Sequence, residues 1–369
     1  MKSKVTSKQL MYAAATFIIA TSLVTKPLYT FMKNDAWFAV VAGFLVNVLL
    51  YLVYAGIARK FPGESLIDIN DAVYGRFFGK IVSALYVFFF FTLACFDTNV
   101  ISSFIKALVL PNTPMALILF VFVFVCIYAA RRGPVNLMKF SALFVYASTA
   151  VIIINSLLLL KDTDLKNFQP AFEMPLQNYI FGTYSVAMLP LCDPFALFMF
   201  APDMRHPKEF GKAMFKGLTL GAVVLLFIVL RDITILGRVS ALETYPTFSS
   251  IQQIDVGDVI TRMDIIYISI LLAMMFYKVS ALFYASVNSI QRLMKFDSYR
   301  FLTLSFGALL MIYSLAVFGS AAEHSEWLVG GGAEYFQTFF MVLLPLLTLI
   351  VAECRGFRSA KVPAVKNES

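Results

Sequence analysis

Apolar runs recur along the whole chain, each about 18 residues or longer and so long enough to cross the ~30 Å hydrocarbon core of a bilayer as a helix. Ten are counted, at 10–32, 36–58, 79–108, 114–130, 135–160, 178–201, 211–236, 261–291, 298–320 and 334–354. The longest connection, 237–260, is too short for a folded domain. The pattern predicts an all-α integral membrane protein with ten transmembrane helices, one membrane domain over 1–369 ending in a cytoplasmic tail at 355–369. The first run follows Lys2, Lys4 and Lys8 and superficially resembles a signal peptide. It is too long for one and lacks a convincing small-residue cleavage site, so it is read as a retained helix.

Two of the runs are interrupted. Thr21, Ser22, Leu23, Val24 and Thr25 precede Lys26 and Pro27 in the first; Leu189, Pro190, Leu191, Cys192, Asp193 and Pro194 interrupt the sixth. Pro194 follows Pro27 by 167 residues, and the long third run pairs with the long eighth in the same register. Five helices per half (10–160 and 178–354) is an odd number, so the halves enter the membrane from opposite sides and form an inverted repeat. Paired interruptions in such repeats mark the midplane site of secondary transporters. Each proline removes an N–H donor and displaces the carbonyl four residues earlier. Groups so freed are tolerated at membrane depth only against protein, water or ligand. The alternative is a simple kink in a packed helix.

Composition agrees with a lipid setting: 60% of residues are hydrophobic, 14% are charged and the mean hydropathy is +0.80. Of the 30 lysines and arginines, 21 fall at the N-terminus, the C-terminus and the loops on their side, which places both termini in the cytoplasm. The net charge of +8 then reports anionic membrane lipids and calls for no nucleic acid. Cys95, Cys126, Cys192 and Cys354 are scattered singly, and His206 and His324 have no neighbouring ligands, so no metal and no cofactor is expected. No nucleophile, base and oxyanion set appears, which argues against an enzyme.

Four ionisable residues lie well inside runs: Lys26, Asp97, Asp193 and Lys278. A charge at the bilayer centre costs at least ~2.5–3.5 kcal/mol, so such groups are paired, hydrated or neutralised. Asp97 and Lys278 sit at comparable depths in the two halves, and their pairing is expected. The set can serve proton coupling or a static ion pair, and Lys26 can instead snorkel toward the outer interface. Gly217 and Gly221 form a G-x-x-x-G expected at a helix contact, the run "VFFFFTLACF" reads as bulk, and Gly330 to Gly332 as a flexible outer loop. Asp258 is placed to cap the eighth helix, and Pro246 with its hydroxyl neighbours to form an outer lid.

The string from Tyr245 to Val287 carries Tyr245, Pro246, Thr247, Ser249, Gly257, Asp258, Arg262, Asp264, Lys278, Ser280, Tyr284 and Ala285. It resembles the endospore germination permeases, the B subunits of spore germinant receptors within the amino acid/polyamine/organocation transporter superfamily. A tryptophan frequent in that family's eighth helix is replaced by "YISILLAMMFYK", and its glycine-rich first break by "ATSLVTKP". The resemblance implies a LeuT-like inverted 5+5 fold with helices 1 and 6 broken. It also implies a subunit that senses a small nutrient, an amino acid or sugar, in the spore inner membrane beside A and C subunits. The expected ligand site is Thr21 to Thr25 with Leu189, Leu191, Cys192 and Asp193; the expected coupling residues are Lys26, Asp97, Asp193 and Lys278. A proton-coupled amino acid transporter and a conducting channel are the alternatives, the absence of a polar stripe counting against a wide pore.

Overall fold

The computed structural model describes residues 4–254 and 263–357, and among them every named element is helical. Gly257, Asp258 and Arg262 of the recognised string and residues 358–369 of the tail lie outside the described residues. Thr6 caps α1 (Ser7–Ala20) in a capping box with Gln9. A 3-10 turn, Thr21–Val24, follows, and the helix resumes as α2 (Lys26–Met32) with Pro27 in its first turn, where a missing N–H costs nothing. Next come α3 (Ala36–Lys60), α4 (Leu66–Leu108), α5 (Met115–Arg131), α6 (Pro134–Lys139) and α7 (Ser141–Leu158). The second half holds α8 (Leu176–Met188), a 3-10 helix Asp193–Asp203, α9 (Phe210–Leu236), α10 (Pro246–Ile251) and α11 (Met263–Met294). It ends with α12 (Leu302–Ala316), α13 (Ala321–Val329), α14 (Gly332–Thr338) and, after a π-helical turn Phe339–Leu343, α15 (Leu344–Cys354).

Against ten expected spans, seven helical stretches among the described residues are long and apolar enough to cross a membrane. The others fall short: α5 has 17 residues, α12 has 15, and α1 ends after 14 where the first run divides. The third run starts earlier than its hydropathy suggests. Ser65 and Asp68 cap α4 at Leu66, and Gly75, at φ +82°, kinks it before the apolar stretch begins. The Gly330 to Gly332 segment, expected as a flexible outer loop, is not a loose loop. Gly331, at φ +80°, joins α13 to α14 in a left-handed turn.

Helices pack as the small residues allow. A Cβ at Gly217 would lie 2.5 Å from Ala14 Cβ, and one at Gly221 would lie 2.8 Å from Ile18, so the G-x-x-x-G of α9 seats α1. The other large contact joins α4 to α11. One membrane face gathers the basic segments. Val5 N–H donates to Asp203 O at 2.9 Å, Arg205 N–H to Val5 O at 2.8 Å, Lys60 pairs with Glu353 at 2.9 Å, and Arg292 pairs with Asp68 at 2.6 Å.

Candidate functional site

The interruption after α8 follows from its prolines. Leu191 N–H reaches Val186 O at 3.4 Å, one residue past the α-helical acceptor, so Ala187 O loses its partner and Asn47 Nδ2 of α3 donates to it at 2.9 Å. Tyr51 Oη, one turn on, donates to Leu191 O at 3.1 Å, and Tyr54 Oη to Met341 O at 2.6 Å. In the first break Thr25 Oγ1 donates to Ser22 O at 2.9 Å. Both breaks are thus fixed by side chains, which leaves Asp193 held between them with 1% of its surface exposed.

Lys278 reaches this point from the middle of α11. Its ammonium has three hydrogens and uses three partners: Asp193 Oδ2 at 2.5 Å, Thr21 Oγ1 at 2.9 Å and Asp97 Oδ1 at 3.2 Å. Asp97 Oδ2 also lies 3.0 Å away, off the line of a hydrogen bond. The Thr21 hydroxyl has one proton, with Phe17 O at 2.8 Å and Asp193 Oδ2 at 3.0 Å as acceptors. Gln337 Nε2 of α14 donates to Asp193 Oδ1 at 2.9 Å. The cluster ties α1, α4, α11, α14 and the 3-10 segment together at one buried point. With two carboxyls to one ammonium, it balances only by taking up a proton or a cationic group.

Beside the cluster is a cavity of about 30 Å³, room for one or two waters. Thr21, Asp97, Asp193, Lys278 and Gln337 form its polar wall, and Phe96, Trp327 and Phe336 crowd its apolar side. Trp327 packs edge-on to Phe96 at 4.9 Å between ring centroids. His324 of α13 stands at the cavity as well, and burial lowers its imidazole pKa to about 4.

Of the residues singled out in the sequence, Thr21, Val24, Leu189, Asp193, Asp97 and Lys278 line this cavity. Ser22 and Thr25 are buried in the first break, bonded to each other, and Leu23 packs with Ile19 and Ile101. Leu191 and Cys192 face α3, where Cys192 Sγ lies 3.2 Å from Tyr54 Oη. Lys26 is half-buried and makes no ion pair among the described residues. Gln337, Trp327 and Phe336 escaped notice, the first because an uncharged amide barely interrupts an apolar run, and His324 was weighed only as a metal ligand.

A second buried polar centre was also missed. Arg231, near the end of the seventh run, is 6% exposed and pairs with Asp232 at 2.6 Å. Asp232 further accepts from Tyr29 at 2.9 Å and from Thr247 and Ser250 at 2.7 Å each, so Pro246–Ile251 is held onto α9 and α2.

Comparison with known proteins places this geometry. The family model described as "Spore germination protein" matches residues 4–318. Spore germination protein KB of Bacillus subtilis (strain 168) is 23% identical over 367 residues, covering 98% of this chain and 97% of that protein. Spore germination protein B2 of the same organism is 25% identical over 270 residues, covering 71% and 72%. Among solved structures, MhsT in complex with L-phenylalanine superposes with a TM-score of 0.69 at 12% identity, covering 95% of this chain and 90% of that one. Mhp1, a nucleobase-cation-symport-1 family transporter in a closed conformation with bromovinylhydantoin bound, superposes with a TM-score of 0.65 at 14% identity, covering 98% and 82%. The fold is therefore that of these transporters.

Proposed function

The chain belongs to the spore germination permease family, and from that premise we propose that it is the B subunit of a spore germinant receptor, which binds a small nutrient at the interrupted midplane and signals germination. Family and fold make it a membrane receptor or transporter and not an enzyme. Residence in the spore inner membrane with both termini cytoplasmic, two five-helix repeats at 10–160 and 178–354, and assembly with A and C subunits belong to the same proposal.

The observation that carries it is the Lys278 cluster at the two breaks. The adjoining cavity, about 30 Å³, is far below the ~300 Å³ or more of ordinary small-molecule pockets. A nutrient enters only if the breaks or α13 and α14 move, and that movement pulls apart bonds converging on Lys278 and Asp193. Occupancy is thereby coupled to conformation, as a sensor requires. Of the two nutrient classes, an amino acid with an apolar side chain suits the site better. Its carboxylate matches the ammonium, its own ammonium supplies the missing positive charge, and Phe96, Trp327 and Phe336 receive the side chain.

A second reading, a proton-coupled amino acid transporter, draws on the same unmatched carboxyl, which a proton also balances. The two separate in proteoliposomes given labelled amino acids and sugars with and without a pH gradient. Saturable binding without flux supports the sensor; gradient-driven uptake removes it in favour of the transporter.

A further inference from the structure

On the membrane face that carries the N-terminus, a groove of about 540 Å³ opens between the end of α3 and the start of α9. Arg59, Lys208 and Lys212 rim it, and Leu52, Ala55 and Phe215 line its wall. The three cations are solvent-exposed and none makes an ion pair among the described residues, and no lining residue is acidic. Leu52 is 56% and Phe215 39% exposed, so the wall looks outward to the acyl region while the rim stands at headgroup level. The small residues Ala55, Ala58 and Gly211, where α3 and α9 approach, leave the groove unfilled. A Cβ on Gly211 would lie 2.8 Å from Ala55 Cβ.

We propose that this groove binds an anionic phospholipid, its phosphate held by Arg59, Lys208 and Lys212 and an acyl chain laid along Leu52 and Phe215. Charge complementarity selects the occupant. Any lipid can cover the apolar wall, but only a headgroup with net negative charge satisfies three unpaired cations, and basic pockets between membrane helices bind such headgroups. A cation close to an anionic surface strengthens attachment about fivefold. The site is independent of the Lys278 cluster, and its occupant is structural lipid rather than nutrient.

The full chain, purified in detergent, is titrated with phosphatidylglycerol or with phosphatidylcholine of identical acyl chains, and bound lipid is read by native mass spectrometry. Phosphatidylglycerol is expected to be retained at least about tenfold better, from the fivefold-per-cation effect. The triple substitution Arg59→Gln, Lys208→Gln, Lys212→Gln should erase that preference. The control Arg76→Gln, Lys80→Gln, Lys295→Gln, at exposed basic positions outside the groove, should keep it. Equal retention of the two lipids by the parent chain, or equal loss of preference in both triple variants, overturns the proposal.

Discussion

Replacing Lys278 with Met tests the central geometry most directly. The ammonium stands 2.5 Å from one carboxylate oxygen and 3.0 Å from another, with 1% of the lysine exposed. Methionine fills most of the space but removes all three donated bonds, and leaves Asp97 and Asp193 facing each other without a counter-charge. Removing one member of a buried ion pair costs about 3–5 kcal/mol, a factor of roughly 150 to 5,000 in the folding equilibrium. The same reasoning says that the damage comes from the stranded carboxyls and not from a lost contact. Adding Asp97→Asn and Asp193→Asn to Lys278→Met should therefore restore most of the stability, since neutral replacement of a whole buried set is close to neutral. Unfolding in mixed micelles measures the first part, and nutrient binding in liposomes the second. Both variants should fail to bind even though the triple variant is stable. A single variant within about 0.5 kcal/mol of the parent, or a triple variant no better than the single, would refute the argument.

Other expectations follow from separate parts of the molecule. Trp327→Ala opens the apolar side of the cavity and should shift binding toward bulkier apolar amino acids by about tenfold, read from competition binding. Gly217→Ala forces a Cβ to 2.5 Å from Ala14 and should destabilise by about 1–3 kcal/mol, whereas Gly56→Ala, whose Cβ meets only Leu349 at 3.4 Å, should change little; thermal unfolding compares them. His324 is held neutral by burial, with a pKa of about 4 against 6.5 unfolded. The unfolded chain therefore takes up the proton first as pH falls, so this stabilisation is complete above pH 6.5 and lost on the way down to 4. Unfolding midpoints should drop across that window, and His324→Gln should flatten the drop.

How much was legible in the sequence depended on what each signal measures. Prolines report backbone directly, so the two interruptions could be placed to within a residue or two. Charges inside apolar runs stand out because lipid tolerates so few, and that drew attention to Asp97, Asp193 and Lys278. Their convergence on Thr21 could not be read, since it depends on how α1, α4 and α11 rotate about their axes. Gln337 and Trp327 carry no penalty visible to hydropathy. Arg231 and Asp232 lie near the end of the seventh run, where charge is unremarkable, and so were not singled out, yet Tyr29, Thr247 and Ser250 arrive from other segments to bury them. The start of α4 was hidden by the polar residues that cap it.

The attachment of the second break to α3 has a mechanical consequence. Asn47 and Tyr51 lie one turn apart on the same helix and hold two carbonyls of the segment that carries Asp193. Tilting that segment alone would break both bonds, at about 1 kcal/mol each, and strand two acceptors in a region with no water to replace them. The break and α3 therefore travel as one lever. Since α3 also lies along α9, which seats α1 through its glycines, displacement at the midplane is delivered to the far ends of three helices.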